Sequence, residues 1–239
     1  ALAIPEVRDS DGSTYPLKSS GEFREGIAAV EIDTGNAYDK IYIDINGNVL
    51  FNARGLPKVY GAGYASTYFF GFGSNFTGGK AVAARRVNES TDARMDTEDA
   101  PVIIDTNGNI LATISKEYYA DESGFDPNMM VKIKPGGPFH GEDLYGLCDE
   151  NGNVVVPCEY PYLQYCENGW YVAQNQDGRY GYIDKSGNVM IDFEFEDAEK
   201  FICVLAPVLI DGLWGFINED FEEVIETAYL TSIVSTLIA

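Results

Sequence analysis

The stretch GYIDKSGNVMI, residues 181–191, decides how this chain is read. An aspartate, a lysine, a serine, a glycine and an asparagine stand between two apolar flanks. Such a segment is either a tight turn between strands or the opening of a metal loop. The chain repeats it as VRDSDGSTYPL from Val7, YIDINGNVLF from Tyr42, IIDTNGNILA from Ile103, LCDENGNVVV from Leu147, YIDKSGNVMI from Tyr182 and a degenerate FINEDFEEVI from Phe216. The anchors Asp9, Asp44, Asp105, Asp149, Asp184 and Asn218 are separated by 35, 61, 44, 35 and 34 residues. A base period near 35 with two long insertions fits these spacings.

The turn has a mechanism. An aspartate at a strand end accepts bonds from backbone N–H groups two residues on. Glycine at Gly12, Gly47, Gly108, Gly152 and Gly187 supplies the positive φ of a type I turn with a bulge. A D-x-N-G-N segment also begins like a calcium-binding EF-hand loop, but it lacks the distal bidentate glutamate and the flanking helices. Each copy therefore predicts a β-hairpin, and no metal site.

A second element, F-x-x-G-x-A-x-V, precedes most hairpins. It is clearest as FREGIAAV at 23–30, with weaker copies FTGGKAVA (76–83), FDPNMMVK (125–132), CENGWYVA (166–173) and FICVLAPV (201–208). Its alternation predicts a half-buried lead strand. An aromatic residue 11 positions after the anchor (Tyr160, Phe195, Tyr229) is expected to pack under the next link. One unit thus reads as a lead strand, a hairpin and a linker.

The last units carry Trp214-Gly215, Tyr180-Gly181 and Tyr145-Gly146 just before the anchor; Lys40-Ile41 and Pro101-Val102 stand there in the earlier copies. This pattern resembles the WG-repeat family of bacterial proteins over nearly the whole chain. The resemblance implies an all-β tandem array, often surface-associated, with no common enzymatic activity and no catalytic residues to carry over.

The predicted fold is therefore one tandem-repeat domain over 1–239. It holds five to six antiparallel hairpin units, arranged as an open curved array or a propeller. The C-terminal ETAYLTSIVSTLIA reads either as a short capping helix or as a closing strand. The distance from lead strand to anchor is 17 and 18 residues in the last two units, but 24, 29 and 21 in the earlier ones. The excess includes 85–101 and 132–146 and falls on one edge, which in repeat proteins often marks the binding face. The segment 55–76 is rich in glycine and aromatics. Tyr64, Tyr68, Phe69, Phe70 and Phe72 are candidate binding residues there, or else form an extra strand or satellite core.

Composition narrows the function. Lys and Arg total 16 against 38 Asp and Glu, a net charge of −22 that repels nucleic acids and anionic membranes. The four cysteines form no CxxC pair; Cys148, Cys166 and Cys203 fall at apolar repeat positions and are expected as buried free thiols. His140, the only histidine, lies in the loop-like GGPFHGED and reads as solvated. Phosphate-loop, dinucleotide and nucleophile-elbow motifs all fail. The chain opens on ALAIPEV, which reads as a processed product, and no apolar run is long enough to span a bilayer.

The sequence thus predicts a non-enzymatic binding or protein-interaction module, exported or at the cell surface. Its partner is expected to be a protein or a glycan, with no cofactor, no nucleic acid and no membrane insertion. One alternative is a carbohydrate or cell-wall binder using the aromatic insertion loop. The other is a hydrolase using insertion-loop carboxylates.

Overall fold

A computed structural model describes residues 6–8, 12–33, 38–52, 73–85, 100–135 and 144–228. The fold is all-β, and among the described residues there is no helix. Contacts group the chain into two compact units, Ala1–Gly141 with Cys148–Asn153, and Glu142–Leu147 with Val154–Ala239.

The first unit holds a five-stranded antiparallel meander, Glu6–Arg8, Thr14–Ser20, Ile27–Asp33, Tyr38–Asp44 and Val49–Asn52, paired in chain order. A three-stranded meander follows, Lys80–Arg85, Ala100–Asp105 and Ile110–Thr113, and then the paired strands Tyr118–Phe125 and Val131–Pro135. The second unit holds two four-stranded meanders. One is Tyr162–Tyr165, Tyr171–Gln174, Tyr180–Ile183 and Val189–Phe195; the other is Asp197–Ala198, Ala206–Ile210, Leu213–Ile217 and Glu223–Ala228.

The strand sequences explain their places. Central strands are covered on both faces and read apolar throughout, as in Tyr171-Val172-Ala173, all buried. The last strand of the first C-terminal sheet, Val189–Phe195, buries Ile191 and Phe195 and exposes Asp192 and Glu194. Charges on such an edge discourage pairing with a stray strand. Between the two C-terminal sheets lies a core of Cys166, Val172, Tyr182, Ile191, Phe195, Ala198, Phe201, Ala206, Val208 and Ile217. In the first unit, Phe76, Ala81, Ala83, Val102 and Ile104 join Ile27 and Tyr42 in an equivalent layer.

The opening stretch is a turn. Asp184 Oδ1 accepts the backbone N–H groups of Ser186 (2.8 Å) and Asn188 (2.9 Å), and Oδ2 accepts Asn188 Nδ2 at 2.8 Å. Asp44, Asp105 and Asp149 repeat the arrangement with Asn48, Asn109 and Asn153. The third residue after the anchor is left-handed throughout: Gly187 has φ +84°, a conformation cheap only for glycine. In the degenerate copy Phe221 takes this conformation at φ +62°. Its ring meets Phe195 of the preceding hairpin at 5.8 Å.

The glycine of the Trp-Gly or Tyr-Gly pair has a different cause. The neighbouring strand is bulged beside it, between the pairs Tyr180↔Phe195 and Tyr182↔Ile191. A Cβ on Gly181 would stand 2.8 Å from the Ile191 carbonyl oxygen, and one on Gly146 would strike the Val156 carbonyl. No side chain fits under that bulge.

Three expectations change. The linker between units is a strand: Tyr162–Tyr165 and Asp197–Ala198 each open a new sheet, so the C-terminal units have four strands. The F-x-x-G half of the second element is a turn, not a strand. Arg24 and Ile27 exchange backbone bonds across it, as do Thr77 and Lys80, and the lead strand starts only at Ile27 or Lys80. That turn is why Cys203, expected in the core, is exposed, with φ +58° between Ile202 and Leu205. Cys148 and Cys166 are buried as expected, and Tyr160 and Phe195 are buried as well. Tyr229 and the C-terminal segment lie outside the described residues.

Candidate functional site

A meander places alternate connections at opposite ends of its sheet. In the sheet from Tyr162 to Phe195, one end carries the turns 166–170 and 184–188; we call it the turn end. The other, the loop end, carries the connection 175–179 between the lead strand and the hairpin. In the last sheet that connection shrinks to Asp211-Gly212. The insertions expected as a binding face leave and re-enter the strands on this same side, between Arg85 and Ala100 and after Pro135. Most of their residues, with His140 and all of Tyr64, Tyr68, Phe69, Phe70 and Phe72, lie outside the described residues.

The turn end is satisfied internally. Besides the aspartate turns, the Glu25 carboxylate accepts the N–H groups of Gly78 (2.7 Å) and Gly79 (2.8 Å), tying one lead-strand turn to the next. Glu167 reaches the backbone N–H of Cys203 at 3.4 Å in the same manner. The turn carboxylates are held below the usual range. At Asp44 and Asp105 the chief cause is the side-chain bond from Asn48 or Asn109. At Asp149 and Asp184 partial burial opposes the charge, but bonds from Asn153 and Asn188 and from turn N–H groups outweigh it. Among the described residues no three His, Cys, Asp or Glu side chains gather around a metal-sized point.

At the loop end of the C-terminal unit the connection 175–179 closes in the same way, Asn175 Oδ1 accepting the N–H groups of Asp177 (3.0 Å) and Arg179 (2.9 Å), and what sets this end apart is the aromatic group beside it. Tyr162, Gln174 and Tyr180 form one cross-strand row, since Tyr162 pairs with Gln174 and Gln174 with Tyr180. Directly opposed residues point to the same face, and the two tyrosine rings meet edge to face at 5.8 Å. The Tyr162 hydroxyl donates to Gln164 Oε1. Asp197 and Glu199, half-buried, come from the segment that opens the next sheet. Tyr182, buried beneath, donates to the Glu199 backbone carbonyl at 2.8 Å.

The electrostatics of this group run opposite to the turns. Glu199 is pushed up by burial and then by Asp197, with Lys200 only partly offsetting them. Tyr162 and Tyr180 are raised by burial and by the charges of Glu199 and Asp197. Tyr182 is raised by burial first and then by Cys166, Glu199 and Asp197. The Cys166 thiol is pushed up to about 11, chiefly by burial. Perturbed groups that share a cause mark a candidate site. The sequence reading singled out Tyr180 only as a repeat aromatic and missed Tyr162, Asp197 and Glu199, because their meeting depends on a strand taken for a linker.

The sheets and turns define a tandem antiparallel β repeat. Residues 145–180, 180–214 and 214–229 each match the family model of the WG containing repeat, so this part of the chain is a run of WG repeats. No curated protein matches the sequence. Among solved structures, a crystal structure of a eukaryotic initiation factor is similar at TM-score 0.48 and 9% identity, covering 94% of this chain and 64% of that one. The C-terminal WD40 domain of Sif2 is similar at TM-score 0.39 and 8% identity, covering 95% and 61%. The chain thus spans less than two thirds of either.

Proposed function

We propose that the chain is a non-catalytic interaction module that takes its partner at the loop end. The observation that carries this reading is the half-buried group Tyr162, Tyr180, Asp197 and Glu199, beside lead-strand-to-hairpin connections that differ in length between the two C-terminal sheets, 175–179 in one and Asp211-Gly212 in the other. Repeat arrays commonly place recognition where per-repeat lengths vary. A binding role also suits the chemistry. Cys166 and Cys158, each raised to about 11, stay protonated at neutral pH, and the raised phenols do too. A nucleophile needs its deprotonated form or an adjacent base.

Site-specific photo-cross-linking tests the reading. A benzoylphenylalanine placed at exposed Asp177, at the loop end, should give adducts in extract from the source cells. The same group at exposed Lys185, at the turn end, should give few. Equal adducts at both, or a preference for Lys185, would remove the loop-end assignment.

A further inference from the structure

We infer that the Asn-Gly pairs of three hairpin turns, Asn46-Gly47, Asn107-Gly108 and Asn151-Gly152, are deamidation sites that the folded turn holds shut. Isoaspartate at a pair then marks the opening of its own turn.

The reaction needs only water. The glycine backbone nitrogen attacks Cγ of the asparagine. The N–Cγ bond forms, the Cγ–Nδ2 bond breaks, and ammonia leaves with the proton that the nitrogen loses. Water then opens the cyclic imide at either carbonyl, giving aspartate or isoaspartate. Glycine has no side chain to shield the attacking nitrogen, and these turns require it, with φ of +82°, +80° and +81° at Gly47, Gly108 and Gly152. Asn46, Asn107 and Asn151 are exposed, so water reaches them.

The fold opposes the attack in three ways. Each glycine N–H donates to the backbone carbonyl of its anchor, Asp44, Asp105 or Asp149, at 3.0 Å, so the proton that must leave is held. Oδ1 of the same anchor accepts the N–H groups on both sides of the glycine, at 2.8 or 2.9 Å. That sets a carboxylate beside a nitrogen that must become anionic, and like charge disfavours it. The glycines are also seated. A Cβ on Gly108 would stand 2.9 Å from the Phe51 ring, and one on Gly152 would stand 2.7 Å from the Thr113 carbonyl oxygen. The Gly47 carbonyl accepts the Arg8 N–H at 3.3 Å. The peptide swings toward the amide carbon only when the turn opens.

The chain carries its own controls. Ser186 fills the place of the asparagine before Gly187, and its N–H bonds to Asp184 in the same way, so the turn does not need the amide. Asn48, Asn109 and Asn153 precede Val49, Ile110 and Val154, whose branched side chains crowd the nitrogen. Isoaspartate adds a backbone carbon and a charge beside the anchor carboxylate, so a converted turn does not close again as before.

The test incubates the full chain in mildly alkaline buffer, folded or in urea, and maps isoaspartate by peptide with isoaspartyl methyltransferase. In urea the three pairs should convert, while Asn48, Asn109 and Asn153 stay intact. In the folded chain all three pairs should stay intact over the same time. Asp105→Ala, which strips the carboxylate from one turn, should raise conversion at Asn107 by about fivefold, because modification follows the open population. Asn46 and Asn151 should keep their parent rates. Asn107→Ser should remove the signal from that turn with an unchanged melt.

Equal conversion with and without urea would overturn the inference. So would an Asp105→Ala chain that melts like the parent yet converts Asn107 no faster, or speeds all three pairs together. The comparison of folded and urea-held parent decides the matter even where the variant does not fold.

Discussion

At one end of a WG-repeat sheet, Asp184 sits with both carboxylate oxygens bonded inside its own turn. At the other, Glu199 is held above its ordinary value by burial and then by the charge of Asp197. The two acids are 15 residues apart in sequence. Asp184 is stabilised as an anion by donors fixed at short range; Glu199 is placed where its anion is costly. The first arrangement holds a fold together. The second costs stability and makes sense if a ligand later offsets it.

The comparison can be broken at several points. The largest effect should come from Gly187→Val, which forces a β-branched residue to φ +84°. A loss of about 2 kcal/mol in urea unfolding is expected, with binding at the loop end intact. Asp184→Ala strips the acceptor from three donors and should cost about 1 kcal/mol by the same measurement.

Acid sharpens the contrast. Asp44, Asp105, Asp149 and Asp184 have folded-state pKa values below their unfolded ones. Their contribution is fully present above the unfolded value of about 3.9 and is lost as pH falls through the lower folded values. The melting temperature should therefore drop progressively below about pH 4, and Asp184→Asn should flatten that drop. Glu199 runs the other way: its folded value is raised, so its anion opposes folding at neutral pH. Glu199→Gln is the smallest effect, leaving stability unchanged or raising it by up to about 0.5 kcal/mol at pH 7. A clear loss of stability in Glu199→Gln would show that this carboxylate is structural and would dissolve the contrast.

What was legible in the sequence follows the same division. The turns could be read because aspartate, glycine and asparagine each act within a few residues, and the repeated spacing fixed the hairpins. The lead strand was overextended because the F-x-x-G turn hides inside an alternating pattern, which moved Cys203 from core to surface. The strand Tyr162–Tyr165 is four residues long and Asp197–Ala198 only two, too short for periodicity to show. The loop-end group depends on those strands and on a register that aligns Tyr162, Gln174 and Tyr180. No local pattern announces such a meeting.

The bond from Glu25 to Gly78 and Gly79 has a consequence for how such chains change over time. Successive lead-strand turns are fastened to each other at the turn end, and at the loop end the Gly212 N–H donates to Glu196 at 3.2 Å. A segment inserted in the two-residue Asp211-Gly212 connection should cost that bond, after which each doubling of its length adds only about 0.6 kcal/mol. Past that first loss the cost of a graft there grows only with the logarithm of its length, so a long segment is little worse than a short one.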